Sequence, residues 1–340
     1  MSIDEHVQRF KNWLDRAGLD EKKHQLNGIQ WVFERELSGS RAPGGFLCDE
    51  MGLGKTILML GAIICNLKKR TLVVMPNSLL PQWEGAIQKF LGVSPLVFHG
   101  EEAKSTTMDE LSKRPIVITT YGMIAKRKDS TYKSKLWELD WDRVIYDEGH
   151  HLRNKNTNLF KGGLIMAKKT SICWMVTGTP INNAKTDFYN LCVIQGLSKT
   201  FNMNASEITS AVQNTVMKRT KEQVGIKMPE LNEHLIEVEF QTKKEEHFAK
   251  NIHNLMNFAT VTDQNVDQII SEMGTKMQSR FPIMMLMRQC CVYPKLAVRY
   301  FRKKFRKDCK RLKVKENFND ISHSKISAVT NKIIENHGNG

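Results

Sequence analysis

The chain has 340 residues, 41% of them hydrophobic, with 51 Lys and Arg against 36 Asp and Glu and a formal net charge of +15. That length exceeds one ordinary domain, and the excess of base favours a polyanionic partner, nucleic acid first. The seven cysteines show no Cys-x-x-Cys spacing, so we expect buried thiols, a reducing compartment and no zinc site. The charged N-terminus and the lack of any apolar run of about 20 residues predict no signal peptide, no membrane span and no secretion.

Two helices are predicted at the start of the chain. Ser2 and Glu5 have the spacing of a capping box, and apolar residues then recur on one helical face up to Ala17, after which Gly18 ends the helix. A second helix carries an apolar stripe formed by Leu26, Ile29, Phe33 and Leu37. Residues 38–45 have the composition of a loop.

Residues 46–64 predict a short strand, a tight glycine turn and a buried helix. The glycines allow backbone N–H groups to curl around an anion, at which the helix also points its positive N-terminal end. Lys55 would supply a charge for β and γ phosphates, and Thr56 a hydroxyl for Mg²⁺. The generic pattern has glycine where this chain has Asp49. The alternative interpretation is a lysine that merely follows a glycine turn at a helix start.

Strands and helices then alternate up to about Leu197. Short apolar strands are predicted over residues 71–76, 96–98, 116–121, 143–147 and 172–176. Ser78 could cap the helix that follows the first of them. Continuous apolar strands separated by helical patterns predict an α/β fold, with a parallel sheet covered by helices on both faces.

The composition changes after Ser198. It predicts a helix over residues 204–218, an exposed strand over residues 235–240 and Met-rich helical structure over residues 243–296. Residues 299–315 are dense in basic side chains, among them Lys303, Lys304 and Arg306. A solvated helix face, contact with a phosphate backbone and a nuclear-import signal all remain open for this run.

Two adjacent acids, Asp147 and Glu148, stand at the C-terminal end of a buried strand. Ligands of open α/β sheets bind at that edge, where the phosphate loop also lies. Adjacent carboxylates are costly there unless a cation holds them. Asp147 would therefore hold Mg²⁺, directly or through water, and Glu148 would orient and deprotonate an attacking water. A lone Asp-Glu pair is more often a helix cap, but the phosphate loop favours the catalytic interpretation.

Together these motifs resemble the first RecA-like lobe of the Swi/Snf family of ATP-dependent DNA translocases, in helicase superfamily two. The family signature Asp-Glu-Met-Gly-Leu-Gly-Lys-Thr stands at residues 49–56, including the Asp that departs from the generic pattern. The resemblance runs in the family's order from about residue 22 to 333. Its other segments are residues 24–31, 75–83, 119–121, 177–183, 218–221, 228–229 and 288–296.

The resemblance implies ATP and Mg²⁺ as cofactors. Gln25 would read adenine, and the phosphate loop would bind the nucleotide through Asp49, Glu50, Met51, Gly52, Leu53, Gly54, Lys55 and Thr56. Lys55, Asp147 and Glu148 would be catalytic, and Thr56 and Asp147 would be the metal ligands. Duplex DNA would be held through its phosphate backbone by Ser78, Thr119, Thr120, Thr177, Thr179, Lys303, Lys304 and Arg306. Thr177 and Thr179 would also link the acidic pair to the DNA side, whereas Trp83 and Tyr121 are expected to pack rather than stack on bases.

Two departures from the family pattern bear on these expectations. Gly149 in the acidic box resembles the repair-associated branch, which often carries a zinc-binding RING insertion for which this chain has no cysteine spacing. Residues 324–326 resemble the start of lobe two, so we expect that lobe to be essentially absent. The resulting domains are a RecA-like ATP-binding lobe, a mostly helical protrusion and a truncated start of lobe two, over residues 1–200, 201–323 and 324–340. The family's arginine fingers belong to lobe two, so the 340 residues alone would hydrolyse ATP slowly unless a second lobe acts in cis or in trans.

Three functions remain open. The first is a DNA-dependent ATPase that translocates on duplex DNA to remodel protein–DNA complexes or regulate transcription, as in the global-transactivator members of large DNA viruses that the chain also resembles. The second is a nucleotide-dependent DNA-binding or regulatory module without motor activity, and the third is a strand-separating helicase. The expected location is the nucleus, a host nucleus if the source is viral, and otherwise the cytoplasm.

Overall fold

The computed structural model describes residues 2–127, 133–180, 185–198, 204–227, 229–254, 284–285, 287–296, 299 and 322–337. The chain divides into two compact units, Met1–Pro229 and Glu230–Gly340. The domain boundaries expected at residues 200 and 323 stay predictions. Among the described residues, no helix combines the length and the apolar character that crossing a membrane requires.

A seven-stranded sheet forms the centre of the first unit. Its strands all run parallel, in the order β3-β4-β2-β5-β6-β1-β7. They are β1 (Gly44–Leu47), β2 (Thr71–Met75), β3 (Leu96–Phe98), β4 (Ile116–Thr120), β5 (Trp141–Asp147), β6 (Thr170–Val176) and β7 (Val216–Met217). β1, β2 and β4 are buried along their whole length, as expected of a parallel sheet covered on both faces. The parallel α/β sheet predicted from the sequence is therefore confirmed.

Helices cover both faces of this sheet and enclose two apolar cores. One core packs side chains of the first four helices against the sheet, and the other lies beneath the later helices. The helices are α1 (Ile3–Arg16), α2 (Lys23–Leu37), α3 (Lys55–Cys65), α4 (Leu80–Leu91), α5 (Glu102–Ser105), α6 (Met108–Lys113), α7 (Tyr121–Ile124), α8 (Asn158–Ala167), α9 (Lys185–Gln195) and α10 (Ala205–Thr215).

Local signals explain where the early helices begin. The predicted capping box is present, since Ser2 Oγ accepts from the Glu5 N–H at 3.2 Å and Glu5 Oε2 accepts from the Ser2 N–H at 2.8 Å. The predicted cap at Ser78 is wrong. Ser78 lies in a 3₁₀ turn over Asn77–Leu79, and α4 begins after Leu79, whose side chain has no acceptor for a cap.

A buried ionic network ties elements together at the amino ends of the strands. The Arg143 guanidinium on β5 forms a bidentate salt bridge with the Glu36 carboxylate on α2, and neither side chain is exposed. Glu36 also accepts from Trp174 Nε1 at 2.8 Å and from Asn66 Nδ2 at 2.6 Å. The network therefore joins α2 to β5, to β6 and to the end of α3, at the edge of the sheet opposite the phosphate loop.

The second unit is described in part. α11 (Lys243–Asn254) and a helix over Ser324–His337 are joined by the buried carboxylate of Glu245, which accepts from the backbone N–H of Ser324 at 3.1 Å. The exposed strand predicted over residues 235–240 is wrong, because this stretch pairs with no strand and has no regular structure, and alternation alone cannot stabilise an isolated strand. The basic residues Lys303, Lys304 and Arg306 lie outside the described residues.

Candidate active site

The phosphate loop and the acidic pair are brought together by strand register. β6 lies between β1 and β5, and its last residue, Val176, is level with Leu47 on one side and with Asp147 on the other. Because neighbouring strands are about 4.8 Å apart, the backbones at Leu47 and Asp147 are separated by roughly 10 Å. Both segments leave the sheet at its carboxyl edge, where ligands of such sheets bind.

The backbone of the phosphate loop suits an anion. Gly52 and Gly54 have φ values of 91° and 83°, which other residues rarely adopt. α3 begins at Lys55 with no side-chain cap, so its first N–H groups and positive helix end face the loop. Lys55 Nζ reaches back over the loop and donates to the carbonyls of Asp49 at 2.7 Å and Glu50 at 3.3 Å. These donors fit the phosphates of a nucleotide.

The side chain of Asp49 is held by Arg219, and the contact of Asp49 with the nucleotide stays a prediction. This side chain is completely buried, and its carboxylate accepts from Nε and from the backbone N–H of Arg219, both at 3.0 Å, and pairs with Nη2 of the same residue. An ionised carboxylate can be buried at this position because a two-pronged arginine neutralises it. Asp49 therefore stabilises the loop through two contacts, the bond from Lys55 to its backbone carbonyl and the ion pair with Arg219.

Arg219 is the residue of this site to which the sequence assigned no role. Its Nη1 donates to the carbonyl of His24 on α2, and its own carbonyl accepts from the Glu50 N–H at 2.9 Å. Two residues further on, the Lys221 N–H donates to Glu50 Oε2 at 2.8 Å. The segment that follows β7 thus holds both α2 and the phosphate loop. The sequence did contain one signal for this partner. Asp49 replaces the usual glycine at the start of the loop, and a carboxylate buried there requires a cationic side chain beside it.

Gln25 lies against the phosphate loop. Its side chain is largely buried, and a Cβ at Gly54 would lie only 2.2 Å from its Nε2, so a larger residue at Gly54 would displace the amide. The neighbouring His24 ring nitrogen is 3.2 Å from the Leu53 carbonyl, and burial lowers the pKa of His24. The structure therefore places Gln25 at the loop, while adenine recognition stays a prediction. Of the other loop residues, Leu53 is buried, and Glu50 and Met51 are exposed.

The Asp147 carboxylate is fixed by two donors. Oδ2 accepts from Trp83 Nε1 at 2.7 Å, and Oδ1 accepts from the Glu148 N–H at 3.1 Å. The backbone carbonyl of Asp147 also accepts from the Tyr121 hydroxyl at 2.8 Å. Burial raises the pKa of Asp147, and the hydrogen bond from Trp83 opposes that rise. Trp83 and Tyr121 are buried as expected, but each is also a donor to the acidic pair.

Glu148 has a strained backbone. Among the described residues it is the one non-glycine residue with positive φ, at φ 52° and ψ 47°. A residue in this region costs of order 1–3 kcal/mol and is found where a side chain must be aimed. Glu148 Oε2 lies 3.1 Å from His150 Nδ1, which is also 3.0 Å from Thr177 Oγ1. Burial lowers the pKa of His150, so at neutral pH its ring is uncharged and carries a single N–H.

The residues predicted to touch DNA fall into two groups. Ser78 and Thr179 are exposed near the carboxyl edge of the sheet. The hydroxyls of Thr119 and Thr120 are buried and directed inward, since Thr119 Oγ1 donates to the Phe98 carbonyl at 2.7 Å and Thr120 Oγ1 is 3.2 Å from His99 Nδ1. Both hydroxyls are hydrogen-bonded within the protein, and the contact of Thr119 and Thr120 with DNA phosphates stays a prediction. Thr177 is also buried and contacts the acidic box through His150, as described above.

The metal ligands predicted for Mg²⁺ are one carboxylate and one hydroxyl. Within the part of the chain that the structure describes, no three His, Cys, Asp or Glu side chains cluster as a metal site. Mg²⁺ is typically held by one or two carboxylates together with substrate phosphates. Asp147 and Thr56, at the carboxyl edge and in the first turn of α3, fit that type of site; metal binding itself stays a prediction.

The chain is similar to known proteins over most of its length. It is 28% identical over 294 residues to a probable global transactivator of Orgyia pseudotsugata multicapsid polyhedrosis virus, which covers 81% of this chain and 56% of that protein. It is 33% identical over 194 residues to an uncharacterized ATP-dependent helicase of Schizosaccharomyces pombe, which covers 50% of this chain and 18% of that protein. The chain thus spans little more than half, or less, of these curated relatives.

A solved structure shares the fold. The Sulfolobus solfataricus SWI2/SNF2 ATPase core in complex with dsDNA matches with a TM-score of 0.52 and 22% identity, covering 82% of this chain and 59% of that one. The family model of the SNF2-related domain matches residues 24–296, which include α2, the phosphate loop, the acidic box and Arg219. The chain therefore belongs to the family of proteins that carry an SNF2-related domain.

Proposed function

We propose that this chain is the ATP-binding lobe of a DNA-dependent ATPase that moves along duplex DNA, and that it thereby remodels protein–DNA complexes or regulates transcription. The observation that carries this proposal is the placement of the phosphate loop and of Asp147 and Glu148 on either side of β6, at one edge of the sheet. Membership of the SNF2-related family supports it, as do relatives named as an ATP-dependent helicase and a global transactivator.

Each part of the site has a role in this proposal. The N–H groups of the loop, the start of α3 and Lys55 hold the phosphates, and Gln25 contacts the base. Thr56 and Asp147 hold Mg²⁺, which when bound neutralises charge on the β and γ phosphates. Glu148 orients the attacking water and accepts its proton on a carboxylate oxygen. The left-handed backbone of Glu148 turns its side chain out of the strand direction.

DNA would be bound through its phosphates. The net charge of +15 favours a polyanion, and exposed Ser78 and Thr179 lie at the edge that carries the nucleotide site. The related Sulfolobus core was solved with dsDNA, which favours a duplex over a single strand. We place the protein in the nucleus, a host nucleus if the source is viral, and otherwise in the cytoplasm.

Steady-state ATP hydrolysis with duplex DNA, with single-stranded DNA and without DNA tests the proposal. The 340 residues alone should hydrolyse ATP slowly and respond little to the duplex, whereas addition of a second RecA-like lobe, in cis or in trans, should bring stimulation by the duplex. Stimulation by single strands alone would favour a strand-separating helicase. Glu148→Gln should bind Mg-ATP and not turn it over.

Lys55→Ala should lose tight ATP binding with an unchanged fold, since Lys55 Nζ bonds only loop carbonyls among the contacts described. Lys113→Ala, which removes an exposed lysine elsewhere, is the matched control. Full turnover by folded Glu148→Gln, or unchanged affinity in Lys55→Ala, would refute the assignment.

A further inference from the structure

Trp83 makes a contact that packing alone does not require. Its indole is 1% exposed, and its Nε1 donates to Asp147 Oδ2 at 2.7 Å. An indole N–H can only donate, so the carboxylate must be the acceptor. With the Glu148 N–H on Oδ1, each oxygen of Asp147 has one fixed donor and keeps its remaining lone-pair directions for other partners.

Trp83 also connects the acidic pair to a different segment of the chain. It lies in the first turns of α4, which follows the 3₁₀ turn over Asn77–Leu79 at the carboxyl end of β2. That turn carries the exposed Ser78. β2 pairs directly with β5, which ends at Asp147. One rigid side chain therefore spans from the segment after β2 to the carboxylate at the end of β5.

We propose that Trp83 is a positioning residue of the nucleotide site, whose indole N–H holds the Asp147 carboxylate in the orientation that binds Mg²⁺. This inference rests on the proposed function, and it adds that the metal requirement of the site is set by α4. The proposed role of Trp83 involves no direct contact with a phosphate or with the attacking water. Trp83 acts only through Asp147, so its loss should change the demand for Mg²⁺ more than the affinity for the nucleotide itself.

Two other buried tryptophans show what a purely structural indole contact looks like. Trp141 Nε1 donates to the Leu136 carbonyl at 3.0 Å, and Trp174 Nε1 donates to Glu36 at the opposite edge of the sheet. A donated hydrogen bond is thus common to buried indoles in this chain. The difference at Trp83 is its acceptor, a carboxylate at the ligand-binding edge. Trp141, which is also 1% exposed, supplies a matched control.

The test compares Trp83→Phe with Trp141→Phe in the full chain. Both keep an aromatic ring and remove one N–H donor, so both should lower the urea midpoint of unfolding. Binding of a fluorescent ATP analogue is titrated with Mg²⁺, and Mn²⁺ binding to the protein–nucleotide complex is followed by electron paramagnetic resonance. We expect Trp83→Phe to raise the metal concentration at half-saturation roughly tenfold, equivalent to about 1.4 kcal/mol for a hydrogen bond to a charged group. Nucleotide affinity in EDTA should change less than about twofold, and Trp141→Phe should leave the metal requirement unchanged.

A second substitution guards against a folding defect in Trp83→Phe. Benzothienylalanine at position 83 keeps the shape of the indole and replaces its N–H by sulfur, so it removes the donor and little else. It should reproduce the metal shift. An unchanged metal requirement with this residue, or an equal shift in Trp141→Phe, would reduce Trp83 to core packing. Wild-type protein that binds the nucleotide analogue without any response to Mg²⁺ would overturn the proposed Mg²⁺ site together with this inference, whereas a normal wild-type response separates the two.

Discussion

Arg219 and Asp49 show how one residue pair can organise a phosphate loop from behind. The Asp49 side chain is fully buried and the Arg219 side chain is 18% exposed, and the arginine also bonds the carbonyl of His24. Breaking such a pair by removing one partner leaves an uncompensated charge, while the loss of both is far less costly. The pair therefore lends itself to a double-mutant cycle.

Arg219→Gln should destabilise the protein by about 3–5 kcal/mol, because the Asp49 carboxylate stays buried without its partner. Asp49→Asn should also destabilise, and the double variant should lose clearly less than the sum of the two. Urea unfolding of the four proteins measures the coupling. Additive losses would show that the ion pair contributes nothing beyond its separate contacts.

The sequence predicted correctly where several of these residues lie in the fold, while their roles stay predictions. Lys55 and Thr56 stand in the first turn of α3, and Asp147 and Glu148 at the end of β5, because these motifs specify local backbone as well as chemistry. The side-chain directions of Asp49 and Thr119 could not be predicted. Whether a polar side chain at a strand end points to the surface or into the core is decided by the elements packed around it, which no local pattern records.

The Glu36–Arg143 network shows how elements are held at the edge remote from the nucleotide. Arg143→Met should cost about 3–5 kcal/mol in the free energy of unfolding, because Glu36 keeps its charge inside the core. Nucleotide affinity should change little in the folded fraction, since the network lies at the amino ends of the strands.

Lys113→Ala provides the contrast for Arg143→Met. It breaks an ion pair with Asp109 in which both side chains are 71% exposed, and such pairs contribute about 1 kcal/mol at most. Urea unfolding measures both losses. Equal losses in the two variants would mean that burial does not determine how much the Arg143–Glu36 pair contributes to the free energy of unfolding.

Elements were predictable where hydrophobic pattern and partners agreed. The five strands expected between residues 71 and 176 all form, because each is apolar and finds a parallel neighbour. Residues 216–217 were predicted as the end of a helix over residues 204–218, but α10 ends at Thr215 and these two residues form β7, which β1 pairs at its edge. The stretch over residues 235–240 failed for the opposite reason, since it has the alternation of a strand and no neighbour to pair with.

The buried thiols of the first unit make whole-molecule stability depend on alkaline pH. Burial raises the pKa of Cys48, Cys65, Cys173 and Cys192 to about 12. An unfolded thiol titrates near about 8.5. The contribution of these thiols to the free energy of unfolding is therefore complete below about pH 8.5. It is lost between about pH 8.5 and 12, because the unfolded chain releases thiol protons that the folded chain keeps.

This pH dependence is checked by urea unfolding at pH 7.5 and 9.5. Cys173→Ala should reduce the fall in stability between the two conditions, by up to about 1.4 kcal/mol for each pH unit above the unfolded pKa. An identical pH dependence in the variant would show that Cys173 ionises in the folded protein as readily as in the unfolded one. Native alkylation at pH 8 should label exposed Cys291 and spare these four thiols.

Salt dependence of DNA binding tests the basic run at residues 299–315. If this run contacts phosphates, neutralising Lys303, Lys304 and Arg306 to glutamine should reduce the slope of log affinity against log salt by about 2–3. The control changes Lys104, Lys113 and Lys332, three lysines in exposed ion pairs, and removes the same charge. Equal effects in both triple variants would assign the slope to net charge rather than to the run.

The connection between Arg219 and the phosphate loop has a mechanical consequence. β7 pairs with β1 over two residues only, so the sheet alone anchors this part of the chain weakly. A pull along the chain beyond residue 220 would be borne first by the bonds from Arg219 and Lys221 to Asp49 and Glu50. The load would thus reach the loop before it reached the sheet, and the lifetime of a bound nucleotide would shorten with applied force.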